Sequence, residues 1–194
     1  MSVPRIVLGS TSRYRAGLLH RIIDDFEQVA PDTDETPLPE EAPPARAARL
    51  AEAKACVAAA NLPDALVIGS DQVAALGNTV LRKPGCIEVA REQLHASSGK
   101  HVDFFTGLCV FDTRTGRSRS ALDHTRVVFR ELTDAEIDRY LECERPLDCA
   151  GSFKSEAAGI TLFERIESTD PTALVGLPLI ALARLLREAG FPLP

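Results

Sequence analysis

Apolar residues recur along the chain with two periods, about 2 and about 3.6, and their alternation predicts the elements. Residues 5–10 (RIVLGS) form a short apolar run of strand character, and 13–23 has helical spacing with Leu18, Leu19, Ile22 and Ile23 on its buried face. Five prolines among acidic residues make 31–44 an extended loop, because proline fixes φ and gives up its N–H. Residues 44–60 are alanine-rich and favour a helix. At 100° per residue Ala47, Leu50, Ala51, Ala55 and Ala58 make its buried stripe, and Lys54 falls inside that stripe. Such a lysine either snorkels to the rim or points its ammonium into a cavity that holds an anion.

Residues 65–76 (ALVIGSDQVAAL) predict a long strand carrying Ser70, Asp71 and Gln72, with Gly77-Asn78 turning into 79–81. After Lys83-Pro84-Gly85 the pattern predicts a helix at 87–96, a strand pair at 101–112 and 117–131, and a helix from Thr133 to about Glu142 opened by a capping box. A glycine-bearing loop (151–159), a strand at 160–163, a loop with Asp170-Pro171 and a helix at 179–188 complete the chain. Strands alternate with helices while the middle pair is antiparallel, which gives an α/β fold with a mixed sheet flanked by helices.

At 194 residues, 45% hydrophobic and 26% charged, the chain is expected to be one domain over 1–194 with an aliphatic core, since Trp is absent. A net charge of −6 argues against a nonspecific grip on nucleic acid or an anionic membrane. No apolar stretch is long enough to span a bilayer, and residues 1–10 lack the layout of a signal peptide. The cysteines (Cys56, Cys86, Cys109, Cys143, Cys149) are odd in number and show no paired short spacing. They are expected to be reduced, buried or half-buried, in a cytoplasmic protein. His20, His95, His101 and His124 show no ligand spacing.

Two groups of residues bear on chemistry. Residues 9–15 (GSTSRYR) form a strand-to-helix junction, where free N–H groups, two hydroxyls and two guanidiniums could meet an anion. Ser12 can equally be a plain N-cap beside surface arginines, and the glycine spacing of a Walker A loop is missing. The second group is Glu35, Lys54, Asp71 and Lys83, two carboxylates and two ammoniums that suit a triphosphate with its magnesium ion. For Asp71 taken alone, a structural ion pair or a turn-forming role is the competing reading.

The pieces IVLGSTSRYR, PDTDETP, RLAEAKA, VIGSDQVA, RKPG, FFTGL and VGLPL together resemble the Maf-like nucleotide pyrophosphatases, from about Val3 to the last helix. The resemblance implies an elongated α/β fold with two lobes and a central cleft, a homodimer, and a divalent cation, Mg2+ or Mn2+. It implies cleavage of a nucleoside triphosphate between its α and β phosphates by an activated water. By position, Asp71 is similar to the family's catalytic base, Glu35 with Asp71 to its metal-holding carboxylates, and Ser10, Arg15, Lys54 and Lys83 to its phosphate ligands. Tyr14, Gln72 and Glu156 match the positions tied to substrate choice.

The stretch from Ala150 to Leu179 looks like the branch acting on 7-methyl-GTP. The branch for dTTP and UTP typically has arginine at the position of Tyr14 and glutamine at that of Glu156. N7 methylation makes guanine cationic, so Glu156 could accept from the base's N1–H and exocyclic amine, and Tyr14 could stack on the ring. Gly9, Tyr14 and Arg82 depart from the common alanine, tryptophan and glycine. Hydrolysis of dTTP, UTP or other modified nucleotides, and noncatalytic nucleotide sensing in cell division, are the competing functions.

Overall fold

A computed structural model describes residues 4–194, so the first three residues of the segment 1–10, including Val3, lie outside the described residues. Among the described residues seven strands form one mixed sheet: β1 (Arg5–Leu8), β2 (Glu27–Gln28), β3 (Ala65–Leu76), β4 (Thr79–Leu81), β5 (His101–Asp112), β6 (Arg117–Phe129) and β7 (Phe163–Glu167). The order is β2-β1-β3-β5-β6-β7, with β4 on β3. β1 pairs parallel with β2 and β3, whereas β3–β4 and β6–β7 are antiparallel. Helices α1 (Arg13–Leu19), α2 (Pro43–Ala58), α3 (Ile87–Ser97), α4 (Asp134–Glu144) and α5 (Leu179–Glu188) flank it. The α/β fold with a mixed sheet and helical flanks is the one the periodicity predicts.

The chain divides into two compact units. The first holds residues up to Gln72, Thr106–Asp123 and Asp170–Pro194. Here the two-residue period of the strands separates two packing faces. Ile6, Leu8, Leu66, Ile68, Leu108 and Val110 meet Leu18 and Leu19 of α1 and Leu182, Leu185 and Leu186 of α5. Val7, Ala65 and Val67 turn the other way, to Ala58 and Ala59 at the end of α2.

The second unit holds Val73–Phe105 and His124–Thr169. Phe104, Phe129, Phe153 and Phe163 pack edge to face there, with ring centroids 4.7–5.6 Å apart. The capping box of α4 is complete: the Thr133 side chain accepts from the Glu136 N–H, and the Glu136 carboxylate accepts from the Thr133 N–H.

Several expectations need correction. The run at 160–163 is not a strand: Ala158–Leu162 is a 3-10 turn, and β7 begins at Phe163. Gly159 sits so close to the Lys154 backbone that only a tight turn fits, and Thr161 Oγ1 donates to Ala158 O at 2.8 Å. β2 was not predicted. Nor are the cysteines all buried or half-buried, since Cys56, Cys86 and Cys143 are exposed, although all five are free.

Candidate active site

The site in the first unit begins with small residues. A Cβ at Gly69 of β3 would run into Ala51 O and Ala55 N, and one at Gly107 of β5 would run into Ala47 O. Glycine on the sheet and alanine on α2 therefore let the helix backbone lie almost on the strands. Gly9 belongs to the same seam, where a Cβ would meet Ala58 and the Lys54 carbonyl, which accounts for glycine at that departure.

Asp71 lies two residues from Gly69 and so points to the α2 face. Lys54 lies in the buried stripe of α2. The two meet at 2.6 Å, from Nζ to Oδ1, and the same ammonium lies 2.7 Å from Glu35 Oε1. Lys54 does not snorkel to the rim, since its ammonium is buried against carboxylates. It is one cation held by two carboxylates, and both it and Asp71 keep only 8% of their surface exposed.

Glu35 reaches this point because the proline-rich loop is strapped to α2. Arg46 Nη2 donates to Glu35 O at 3.0 Å, and Arg49 Nη2 donates to Thr36 O at 3.3 Å. Arg49 also forms a fork on Glu41 at 2.5 and 2.8 Å, which holds the Glu41 carboxyl down at about 2. Sequence reasoning passed over Arg46 and Arg49. Their signal was two arginines one helical turn apart, directly after an acidic loop too rich in proline to bond to itself.

Arg15 Nε donates to Gly176 O at 2.9 Å and Nη1 reaches Ser10 Oγ at 3.4 Å. Burial pulls the half-buried guanidinium below its ordinary pKa, while the charges of Asp71 and Glu35 pull it back up. It stays charged at neutral pH. Ser12 does cap α1, accepting from Arg15 N at 3.4 Å. The N–H groups of Gly9, Ser10 and Ser12 are also committed, to Ile68 O, Leu8 O and Ser10 Oγ. The backbone donors of Gly9, Ser10, Ser12 and Arg15, expected to be free at this junction, are therefore engaged within the protein. Tyr14 is half-buried, and the Arg13 guanidinium lies over its ring at 4.8 Å.

The opposite face of β3 carries Ser70 and Gln72. Ser70 Oγ lies 2.8 Å from Gly107 O and 2.9 Å from Gly176 O. Gln72 Nε2 bonds Thr106 Oγ1 and the carbonyls of Ala173 and Leu174. Ser10, Arg15, Glu35, Lys54, Asp71 and Gln72 thus all belong to the first unit. Lys83 and Glu156 belong to the second. Lys83 is exposed just after β4, and Glu156 is exposed and accepts from Ser155 Oγ at 3.4 Å.

Two carboxylates on one ammonium are hard oxygen donors at a point that already accepts positive charge. Among the described residues no three His, Cys, Asp or Glu side chains converge as a complete metal cage. The Glu35–Asp71 pair instead fits an ion such as Mg2+, which takes one or two carboxylates and completes its shell with phosphate and water.

The architecture is that of an α/β protein whose fold is shared with the Staphylococcus aureus Ham1 protein, at a TM-score of 0.51 and 14% identity, covering 96% of this chain and 99% of that one. A sequence model of the family described as Maf-like protein matches residues 5–189, and the chain belongs to that family. It is 56% identical to a protein of Aromatoleum aromaticum over the whole of both chains. It is 53% identical to one of Nitrosococcus oceani, covering 97% of this chain and 95% of that one. Both relatives carry the name 7-methyl-GTP pyrophosphatase. Among the described residues no helix is long and apolar enough to cross a membrane.

Proposed function

We propose that the protein is a nucleoside triphosphate pyrophosphatase that converts 7-methyl-GTP to 7-methyl-GMP and diphosphate. The observation that carries the reading is the buried Asp71, paired with Lys54 beside Glu35, in a chain 56% identical over its full length to a relative of that name. Asp71 accepts a proton from water, the water oxygen forms a bond to phosphorus, and the bridging P–O bond breaks. The electron pair of that bond leaves with the diphosphate. Arg15 and Lys54 bind the phosphate oxygens and stabilise the charge that grows on the leaving group, with Ser10 as a hydroxyl donor. Glu35 and Asp71 would hold a divalent cation, Mg2+ or Mn2+, whose chemistry is to polarise phosphoryl oxygens and neutralise charge.

Lys83 as a further phosphate ligand, and Tyr14 with Glu156 as readers of the methylated base, are part of the same proposal. A carboxylate favours the cationic 7-methylguanine over neutral guanine, and a tyrosine face adds a cation–π contact. The homodimer that the resemblance implies, and the cytoplasmic setting inferred from unpaired cysteines, belong to it as well.

Purified protein with Mg2+ and 7-methyl-GTP should release diphosphate, and Asp71→Asn should abolish release while nucleotide still binds. No release from any common or modified nucleoside triphosphate would sink the proposal. Glu156→Gln should narrow the preference for 7-methyl-GTP over GTP. An unchanged ratio would remove Glu156 from the base-reading role.

A further inference from the structure

The amide donors of Gln72 are engaged within the protein. Its amide has two N–H bonds and three acceptors around it: Thr106 Oγ1 at 3.0 Å, Ala173 O at 3.0 Å and Leu174 O at 3.1 Å. Two of these are carbonyls, which can only accept, so the NH2 group must face them. No amide donor is left for a ligand. What the donors hold is the 3-10 turn Ala173–Val175, whose next residue is Gly176.

That turn is fixed at both ends. Asp170 accepts from Thr172 N at 3.0 Å, from Thr172 Oγ1 at 2.7 Å and from Ile180 N in the first turn of α5 at 2.7 Å. Thr172 Oγ1 also lies 2.8 Å from both Leu177 O and Leu179 N. Thr106 Oγ1 adds a bond to Ala173 O at 3.0 Å. Gly176 sits at φ +114°, a backbone conformation that side chains rarely adopt, and its carbonyl accepts from Ser70 Oγ and Arg15 Nε, each at 2.9 Å. A continuous path of bonds runs from Gln72 through the turn to the Nε of Arg15.

We propose that Gln72 is a positioning residue for Arg15, and through it for the triphosphate, and that its amide donors do not read the base. The proposal rests on the reading of Arg15 as a phosphate ligand. With Nε held by a carbonyl fixed from three sides, the guanidinium plane is set before substrate arrives, so its remaining donors meet phosphate without an ordering penalty.

The test uses the full-length protein with magnesium and inorganic tripolyphosphate, a probe without a base. Gln72→Glu keeps the side-chain shape and an oxygen acceptor but loses the donors, and Gln72→Met removes donors and oxygen acceptor alike at similar length and without added charge. Both should weaken tripolyphosphate binding by roughly tenfold. Both should lower kcat/KM for 7-methyl-GTP and GTP by a common factor, leaving their ratio unchanged. In a cycle with Arg15→Lys, the Gln72 substitution should add much less than it does alone.

Thermal unfolding separates positioning from damage to the fold, and Gln72→Met carries the test if the charged variant does not fold. Unaltered tripolyphosphate binding with a changed 7-methyl-GTP to GTP ratio would overturn the proposal in favour of base reading, and full additivity with Arg15→Lys would overturn it too. Wild-type protein that binds no tripolyphosphate would overturn both this inference and the phosphate role of Arg15. Wild-type protein that binds tripolyphosphate but hydrolyses no nucleotide would end the hydrolase reading, with the binding measurements still deciding the role of Gln72.

Discussion

Lys54 and Asp71 are each buried to 8% exposure and lie 2.6 Å apart, so each is the condition for burying the other. Removing one partner of such a pair leaves the other charge without compensation, a loss of about 3–5 kcal/mol. Lys54→Met should therefore lower the free energy of unfolding in urea by that order. The double variant Lys54→Met with Asp71→Asn should recover much of the stability and none of the activity. A Lys54→Met protein as stable as wild type would show that the pair does not hold this part of the molecule. Tyr14 poses a different question, because Arg13 lies 4.8 Å over its ring. A cationic base stacking on that face must displace a cation already there. Arg13→Ala should then raise the preference for 7-methyl-GTP over GTP, by a factor set by a contact worth roughly 0.5–2 kcal/mol. An unchanged ratio would place the base elsewhere.

At the scale of elements, the α4 capping box makes stability depend on pH. The Glu136 carboxyl, with an ordinary value of 4.5, is held at about 2, first by the Thr133 backbone N–H, then by the Thr133 hydroxyl and Arg130. A carboxyl depressed by folding contributes stability that is complete above its unfolded pKa and is lost as pH falls through the folded one. The contribution of Glu136 should therefore fade between about pH 4.5 and 2. Urea midpoints of wild type and Glu136→Gln should converge across that window, and a constant difference would count against the capping role. The α2 seam gives a second prediction. Gly69→Ala forces a methyl against Ala51 and Ala55 backbone atoms, an overpacking that costs about 1–3 kcal/mol and pushes Lys54 away from Asp71. Activity should fall further than thermal stability does. Elements with a clear period were legible: β3, β5 and α5 run over the predicted residues, and the buried stripe of α2, Lys54 included, is as predicted. Local pattern could not find β2, two residues that become a strand only by pairing with β1, or foresee that Gly159 turns 158–162 into a 3-10 helix.

At the scale of the whole molecule, the register of the parallel strands decides what the sequence leaves open. Leu8 pairs with Ile68, which brings Ser10 and Arg15, just beyond one strand, into the same unit and neighbourhood as Asp71 on the other. No spacing within residues 9–15 or 65–76 encodes that meeting, so the individual residues were legible and their convergence was not. The path from Gln72 to Gly176 was hidden for the same reason, since its bonds join residues about a hundred positions apart. The same strands bear on how the chain unfolds. β3, β5 and β6 each begin in one compact unit and end in the other. Unravelling either unit must therefore pull apart strands that the other needs, and the expectation of one domain over 1–194 becomes a claim about cooperativity. Cys109 reports on the first unit: it is fully buried, and burial pushes its thiol up to about 11, so it should resist thiol reagents at neutral pH until the unit opens. Tyr140 reports on the second, with 5% exposure and its hydroxyl accepting from Lys154 N at 3.0 Å. Labelling of Cys109 and the absorbance change of Tyr140 should share one urea midpoint. Two separated midpoints would mean that strand continuity does not bind the units into one folding transition, and the variants above would then need to be assessed unit by unit.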